Sequence, residues 1–206
     1  MTKQNTPQFG LCIDWETSGA TFGGDSTIDH QGLSFGAVIF DMATFEPVDT
    51  LYREIKFIPS KFKWTEEAQK IHGMSIEYLE QNGVEQEEAA ADLLEFILKY
   101  FGTAKVMFLG HNPEFDRRFT NQLTTSVGVE FSVEKQTDLD AHVQLHHVIL
   151  DTSALGMITL GIFKSDLLFD AVGLPERAEH NSLTDALYTV ETCKRIKLLV
   201  NEALTG

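Results

Sequence analysis

The chain has 206 residues, 43% hydrophobic and 23% charged, and its 31 acidic and 16 basic side chains give a formal net charge of −15 at pH 7. This composition is typical of a globular protein and excludes intrinsic disorder; the length predicts one domain, with its core over about residues 9–200. The acidic balance argues against a large surface for nonspecific binding of duplex nucleic acid, but it allows a small local site, especially where bound cations reverse the local charge.

The N-terminal stretch MTKQNTPQFG lacks the charged-then-apolar pattern of a signal peptide, and no run approaches the ~20 apolar residues that span a bilayer. We therefore expect a cytoplasmic location and no membrane association. The two cysteines, Cys12 and Cys193, lie far apart in apolar segments, so we expect reduced core residues rather than a disulfide.

Three strands are predicted first along the chain. Residues 9–14 and 33–41 form apolar runs typical of buried strands, and residues 50–58 alternate like a half-exposed edge strand. Their order indicates an antiparallel meander. Residues 17–32 are polar and rich in glycine, and this segment is too long for a tight hairpin, a length at which loops are often functional.

The periodicity then becomes helical, with two strands interspersed. Asn112 is the predicted N-cap of a helix whose first residue is Pro113. The remaining predicted elements are helices at 65–71, 86–100, within 153–172 and at 182–200, and strands at 105–110 and 146–152. A meander followed by alternating helices and strands predicts an α/β fold with a sheet of mixed direction.

Two acidic residues, Asp14 and Glu16, stand one residue apart at the end of the first strand. Residues i and i+2 of a strand point to the same side, whereas Trp15 between them points to the other. Carboxylates so placed suit Mg²⁺ or Mn²⁺. The structural alternative is a pair of solvated acids that simply close the strand.

Further candidates follow downstream, and each has a structural alternative. Asp116 lies on the first turns of the helix at Pro113, where an acid stabilises a helix by about 0.3–1 kcal/mol. His180 and Asp185 flank the start of the last helix. There Ser182 and Asp185 match a capping box in the looser sense of an acid at the third helical position.

In combination, the three motifs indicate more than any of them alone. D-x-E on the first strand, H-N-x-x-F-D at a helix start and H-x-x-x-x-D near the C-terminus, in this order, resemble the DEDDh 3'-to-5' exonucleases, a DnaQ-like group of the ribonuclease H-like superfamily. Residues 64–79, with a His-Gly pair, and 149–155 extend the similarity over residues 9–195. The resemblance implies a ribonuclease H-like fold: a five-stranded mixed sheet flanked by helices.

The resemblance also implies an activity: hydrolysis of phosphodiester bonds at the 3' ends of single-stranded DNA or RNA, with release of nucleoside 5'-monophosphates by a two-metal mechanism. Two divalent cations, Mg²⁺ or Mn²⁺, are expected on four acids: Asp14, Glu16, Asp116 and Asp185. His180 is the expected general base, a role suited to histidine because its unperturbed pKa is ~6.5. The implied substrate contacts are Thr17, His72, His111, Asn112 and Phe115.

Other interpretations stay open at this stage. A catalytically silent protein of the same fold, which binds nucleic acid or a protein partner without cleaving it, is the main alternative. His142 and His146 within residues 136–147 could hold Zn²⁺ if that segment were helical, but no further ligand completes such a site, and a polar surface connection is the competing interpretation. Neither the preferred sugar nor a protein partner is predicted.

Overall fold

The computed structural model describes residues 7–177 and 180–205. A five-stranded sheet lies at its centre, in the order β3-β2-β1-β4-β7. The first three strands pair antiparallel, whereas β4 is parallel to β1 and β7 is parallel to β4. The strands are β1 (Phe9–Thr17), β2 (Gly32–Asp41), β3 (Pro47–Glu54), β4 (Phe108–Gly110), β5 (Val129–Ser132), β6 (Ala141–Gln144) and β7 (Leu150–Asp151). The predicted meander and mixed sheet are confirmed.

Seven α-helices lie around the sheet in the described ranges 7–177 and 180–205. They are α1 (Glu66–His72), α2 (Ile76–Asn82), α3 (Gln86–Phe101), α4 (Pro113–Thr125), α5 (Thr152–Leu160), α6 (Ser165–Ala171) and α7 (Ser182–Thr205). A short 3₁₀ helix, Ser26–Ile28, interrupts the glycine-rich loop. The predicted helices are all present, with α7 extending further than residue 200.

The region before the last strand differs from the prediction. The fifth strand of the sheet is only Leu150–Asp151, and it is preceded by a separate parallel pair, β5 and β6. The carboxylate of Glu130 accepts hydrogen bonds from the side chains of Ser132 and Thr137 and from the backbone of Gln136. These bonds order the connection between β5 and β6. The periodicity of the sequence does not reveal such a network.

The structure of this region contradicts the helical pairing of His142 and His146 that a Zn²⁺ site would need. His142 lies on strand β6 and not on a helix, so the helical spacing that would have paired it with His146 is absent. Its ring Nε2 is instead 3.0 Å from the backbone oxygen of Ser132. His146 accepts a hydrogen bond on Nδ1 from the backbone N–H of Val148. Both rings therefore bond locally, and the segment is partly a strand rather than only a polar connection.

Alternation along β1 determines what each face of the sheet contains. Leu11, Ile13 and Trp15 pack into the larger core beneath α3 and α4. Cys12 points to the other face, where a second cluster joins β1 to α7. Asp14 and Glu16 continue the Cys12 face, as the strand period requires. Cys12 and Cys193 are both buried and free, in agreement with their prediction as reduced core residues.

Close contact between β2 and the start of α7 brings the C-terminal helix to the end of β1. Gly36 of β2 lies opposite Asp14 in the sheet. A Cβ atom at Gly36 would overlap the backbone of Leu183, so only glycine lets the helix come this near. Asp185, on the first turn of α7, is thereby carried to the carboxylates of β1.

Within the described residues, no single helix has the length and apolar composition to cross a bilayer; α5 and α6 meet that test only jointly, across a 53° bend. The single domain and the cytoplasmic location stay predictions.

Replacement of Gly36 by alanine is expected to destabilise the fold by about 1–3 kcal/mol, because the added methyl group has no room against α7. Urea unfolding of the two proteins measures the difference. Gly24→Ala is a suitable control, since Gly24 lies in the exposed loop and a Cβ atom added there would meet only the side chain of Thr21, at 3.1 Å. Equal stability of Gly36→Ala and the wild type would contradict the close packing of α7 on β2.

Candidate metal and catalytic site

Three carboxylates converge where β1 ends and α7 begins. Asp14 and Glu16 come from β1, and Asp185 comes from the first turn of α7. One oxygen from each lies within 4.8 Å of the other two. Oxygen ligands at this separation can share one divalent cation of the Mg²⁺ or Mn²⁺ type.

The N-terminus of α7 is capped differently from the prediction. The side-chain oxygen of Asn181 accepts hydrogen bonds from the backbone N–H groups of Leu183 (3.1 Å) and Thr184 (3.2 Å), so Asn181 is the cap. Ser182 is already inside the helix and fully buried, with its Oγ 3.3 Å from the Oγ of Ser34 on β2. The predicted capping box is therefore wrong, and the carboxylate of Asp185 faces Asp14 and Glu16.

Asp116 reaches the same end of β1 from helix α4. Its Oδ1 accepts a hydrogen bond from the backbone N–H of Trp15 at 3.2 Å, and the residue is buried. This bond joins the first turn of α4 to the strand that carries Asp14 and Glu16.

Asn112 stands at the N-cap position of α4 but does not cap it with its side chain. Its backbone is left-handed, with φ at 58°, and no hydrogen bond runs from its side chain to the first turn. The expected side-chain cap is therefore absent, although Pro113 begins the helix as predicted. The backbone N–H of Asn112 donates instead to Asp151, which also caps α5.

Burial and mutual repulsion oppose ionisation of these acids. Burial is the main cause that raises the pKa of Asp14, and the charges of Asp116, Asp185 and Glu16 raise it further. Burial likewise raises the pKa of Glu16 to about 7 and that of Asp116 well above its usual range. A site that gathers four such carboxylates favours a cation, and their oxygen atoms are the ligands that Mg²⁺ and Mn²⁺ prefer.

Arg177 supplies a positive charge beside this site, and sequence reasoning missed it. Its guanidinium donates hydrogen bonds to Asp185 and to Asp166 and lies over the ring of Phe169, 5.1 Å from the centroid. Burial raises the pKa of Asp185, whereas the hydrogen bond and charge of Arg177 lower it. The signal available in the sequence was a lone basic residue three positions before His180 in an acidic chain.

His180 lies at the edge of the carboxylate cluster. Its Nδ1 is 3.6 Å from Oδ2 of Asp185, and 44% of its side chain is exposed. The ring is thus held near the acids while remaining accessible to a water molecule or a substrate.

Two open cavities flank the end of β1. We call the first the loop cavity: residues 20–27 with Asn112, Phe115, Arg118 and their neighbours enclose about 460 Å³. We call the second the sheet cavity: Glu16, Ser34, Tyr52, Glu54, Lys70, His72, Tyr78 and His180, with adjacent residues, enclose about 590 Å³. Both volumes lie in the range of about 300–1,000 Å³ typical of ligand sites.

The predicted substrate contacts divide between these places. Asn112 and Phe115 line the loop cavity, and His72 lines the sheet cavity. Thr17 directly follows Glu16 and donates its hydroxyl proton to the backbone oxygen of Gly19 at 2.9 Å. His111 lies apart from both cavity linings, with Nδ1 2.9 Å from Thr152 Oγ1, and burial lowers its pKa.

His72 has a defined tautomer and one unused nitrogen. The backbone N–H of Met74 donates to Nδ1 at 3.1 Å, so Nε2 carries the proton of the neutral ring. Nε2 is buried and has no hydrogen-bond partner in the described parts of the chain. Burial lowers the pKa of His72 to about 4, so the ring is neutral near pH 7.

Several solved structures that superpose on this chain are exonucleases. The complex of E. coli exonuclease I with single-stranded DNA superposes with a TM-score of 0.71 at 16% identity, covering 94% of this chain and 41% of the other. The nuclease domain of 3'hExo, a DEDDh family member bound to rAMP, gives a TM-score of 0.66 at 12% identity and covers 96% and 94%. A 3'-exonuclease that recognises the histone mRNA stem-loop gives 0.65 at 12% identity, with 95% and 64% covered.

These similarities define the fold. The chain has the ribonuclease H-like fold of the DEDDh exonucleases, as the order of its motifs predicted. It spans about two fifths of the length of the exonuclease I chains that it matches. No family model matches the sequence, and no curated protein matches it.

The unusual pKa of Glu16 predicts how the stability of the metal-free protein depends on pH. The folded state holds the Glu16 proton up to a pKa of about 7, against an ordinary value of 4.5. The stability associated with that proton is complete below pH 4.5 and is lost as the pH rises through 7. In the wild type, the free energy of unfolding should fall by an amount on the order of 2 kcal/mol over this window. Glu16→Gln should abolish this decrease, because glutamine does not ionise.

Urea unfolding in EDTA at a series of pH values measures this loss, with Glu87→Gln, at an exposed acid on α3, as the control. Identical pH profiles for Glu16→Gln and the wild type would contradict the assigned pKa.

Replacement of Arg177 by glutamine is expected to destabilise the metal-free protein by up to about 3 kcal/mol, because the nearly buried Asp185 loses its positive partner. Added Mn²⁺ should restore more stability to this variant than to the wild type. Thermal unfolding with and without Mn²⁺ tests this. Arg195→Gln is the control, because Arg195 binds Glu191 and the backbone oxygens of Val172 and Gly173 and no carboxylate of the site. Equal Mn²⁺ stabilisation of Arg177→Gln and the wild type would contradict the influence of Arg177 on the site.

Proposed function

We propose that this protein is a metal-dependent 3'-to-5' exonuclease that removes nucleoside 5'-monophosphates from the 3' ends of single-stranded DNA or RNA. One observation carries the proposal. The acids come from three segments of the chain, with 100 positions between Glu16 and Asp116 and 69 between Asp116 and Asp185. The fold nevertheless brings them to one strand end, with His180 beside them.

The structural neighbours support the same class of substrate. E. coli exonuclease I forms a complex with single-stranded DNA, and the 3'hExo nuclease domain binds rAMP. A small site for a strand end also suits a chain of net charge −15, which repels a long polyanion.

Hydrolysis of a phosphodiester adds water across the bond between phosphorus and the 3'-oxygen of the preceding nucleotide. Two divalent cations held by Asp14, Glu16, Asp116 and Asp185 would supply an activated water and stabilise the leaving oxygen. Asp14 and Glu16 would provide oxygen ligands from β1, and Asp185 would provide another from α7. Asp116 would contribute from α4, where the hydrogen bond from the Trp15 N–H orients its carboxylate.

His180 would accept the proton of the attacking water. The ring has the exposure that this role needs, and its Nδ1 lies on the side of Asp185, so Nε2 is the nitrogen available to the water. The negative charge of Asp185 would then stabilise the imidazolium that forms.

The two cavities would receive the end of the strand. Phe115 and Asn112 would contact it in the loop cavity and His72 in the sheet cavity, with Thr17 between them. For His111 we propose a supporting role, because its contact with Thr152 ties β4 to the start of α5.

The purified protein with Mg²⁺ or Mn²⁺ is expected to shorten a 5'-labelled single strand one nucleotide at a time, and EDTA should stop the reaction. Asp14→Asn should lower the rate by at least about a hundredfold, because it removes a charged metal ligand. Asp92→Asn, at a surface acid that pairs with Arg53, is the matched control and should keep full activity. Gel electrophoresis of the labelled products measures both the rate and the direction.

Binding of single strands without cleavage, under every metal condition, would favour the catalytically silent alternative instead. Normal cleavage by Asp14→Asn would contradict the metal assignment.

A further inference from the structure

A polar cluster of two tyrosines and a glutamate lies in the sheet cavity, beyond the carboxylates of the proposed site. Tyr52 and Glu54 are on strand β3, and Tyr78 is on helix α2. Glu16 lies opposite Ser34, and Ser34 lies opposite Glu54, so one row across three strands links the cluster to the site. At a strand spacing of about 4.8 Å, the backbone of Glu54 is about 10 Å from that of Glu16.

Both tyrosine hydroxyls bind the same oxygen of Glu54. Tyr52 donates to Oε1 at 2.8 Å and Tyr78 donates to Oε1 at 3.2 Å. The position of Tyr78 is set by Ser75, whose hydroxyl accepts a hydrogen bond from the Tyr78 backbone N–H at 3.1 Å and caps α2. The carboxylate is thus oriented from two sides.

The unused hydrogen-bonding capacity of this cluster consists of acceptors. A carboxylate has two oxygens, and in the described residues no hydrogen bond reaches Oε2 of Glu54. The tyrosine hydroxyls have already donated their protons, so only their lone pairs remain. Burial and the charge of Glu54 raise the pKa of Tyr52, which keeps its hydroxyl protonated. The cluster therefore suits a ligand that donates hydrogen bonds. The acceptors of the cluster would repel a phosphate, which has no proton to donate.

Helix α1 adds a donor to the lining of the same cavity. Lys70 and His72 line it from α1, and the exposed ammonium of Lys70 can donate hydrogen bonds. A nucleotide has matching parts, since its phosphate accepts hydrogen bonds and its sugar hydroxyls donate them. The cavity volume of about 590 Å³ is ample for such a unit.

We propose that Glu54, held by Tyr52 and Tyr78, accepts a hydrogen bond from a ribose 2'-hydroxyl of the substrate strand and so makes RNA ends better substrates than DNA ends. This inference rests on the exonuclease function proposed above. The 2'-hydroxyl is the donor that ribose has and deoxyribose lacks. An exocyclic amine of a base can also donate a hydrogen bond to Glu54, and the experiment below distinguishes it from the 2'-hydroxyl.

The test compares 5'-labelled ribo- and deoxyribo-oligomers of identical base sequence. The wild type should cleave the ribo-oligomer with the higher kcat/KM. Glu54→Gln replaces an acceptor oxygen by an amide that donates, and it should lower the ribo-to-deoxyribo ratio of kcat/KM about tenfold. Tyr78→Phe should lower the ratio less, because Tyr52 still holds Glu54.

Tyr100→Phe is the matched control. The Tyr100 hydroxyl also donates to a carboxylate, that of Asp49 at 2.7 Å, but neither residue lines the sheet cavity. This variant should keep the wild-type ratio. Thermal unfolding of every variant, measured beside the kinetics, identifies any that fail to fold.

A ribo-oligomer with a 2'-fluoro group in place of the 2'-hydroxyl at one of its last two nucleotides removes the donor with little change in size. It should be cleaved more slowly by the wild type and at a nearly unchanged relative rate by Glu54→Gln. A preference that follows the base rather than the sugar, or an equal loss on both oligomers in Glu54→Gln, would overturn the proposal while leaving the exonuclease intact. Absence of cleavage by the wild type would instead overturn the exonuclease function, and this inference with it.

Discussion

The gathering of four acidic side chains at the end of β1 is the constraint on which the rest of the structure depends. Four carboxylates that repel each other meet there, and burial adds to the cost of their ionisation. The packing of α7 over Gly36 brings Asp185 to the other acids, and the hydrogen bond from the Trp15 N–H offsets part of this cost because it favours the ionised form of Asp116. Arg177 offsets part of it directly, through its contact with Asp185. Buried acids with raised pKa values are typical of functional sites, and here they do not add to the stability of the fold.

Much of the fold could be predicted from the sequence, because its elements follow strong periodic patterns. The alternation along β1 correctly placed Asp14 and Glu16 on one face and Trp15 on the other. Prediction failed where hydrogen bonds replace periodicity. Asn181 rather than Ser182 caps α7, and Glu130 orders the β5–β6 pair, because these polar contacts depend on which groups meet in three dimensions.

The candidate site was accessible to sequence reasoning only through its motifs. The order of D-x-E, H-N-x-x-F-D and H-x-x-x-x-D selected the acids that the structure brings together at β1. Arg177 and the cluster around Glu54 belong to none of these motifs, and their importance arises from contacts across the fold. A glutamate at the end of an edge strand looks like an ordinary solvated residue until its two tyrosines are seen.

The hydrogen bond between Asp116 and the backbone of Trp15 divides the site mechanically into two parts. It fastens α4 to β1, so Asp14, Glu16 and Asp116 share one rigid frame. Asp185 stands on α7, which packs on β1 and β2 through the Gly36 contact and through the cluster that joins Cys12 to Ala186 and Val190. The packing of α7 on the sheet therefore sets the distance between Asp185 and the carboxylates of β1, and with it the radius of the cation that these ligands would share. Tolerance for different metals would then be determined at that packing surface rather than at the ligands themselves.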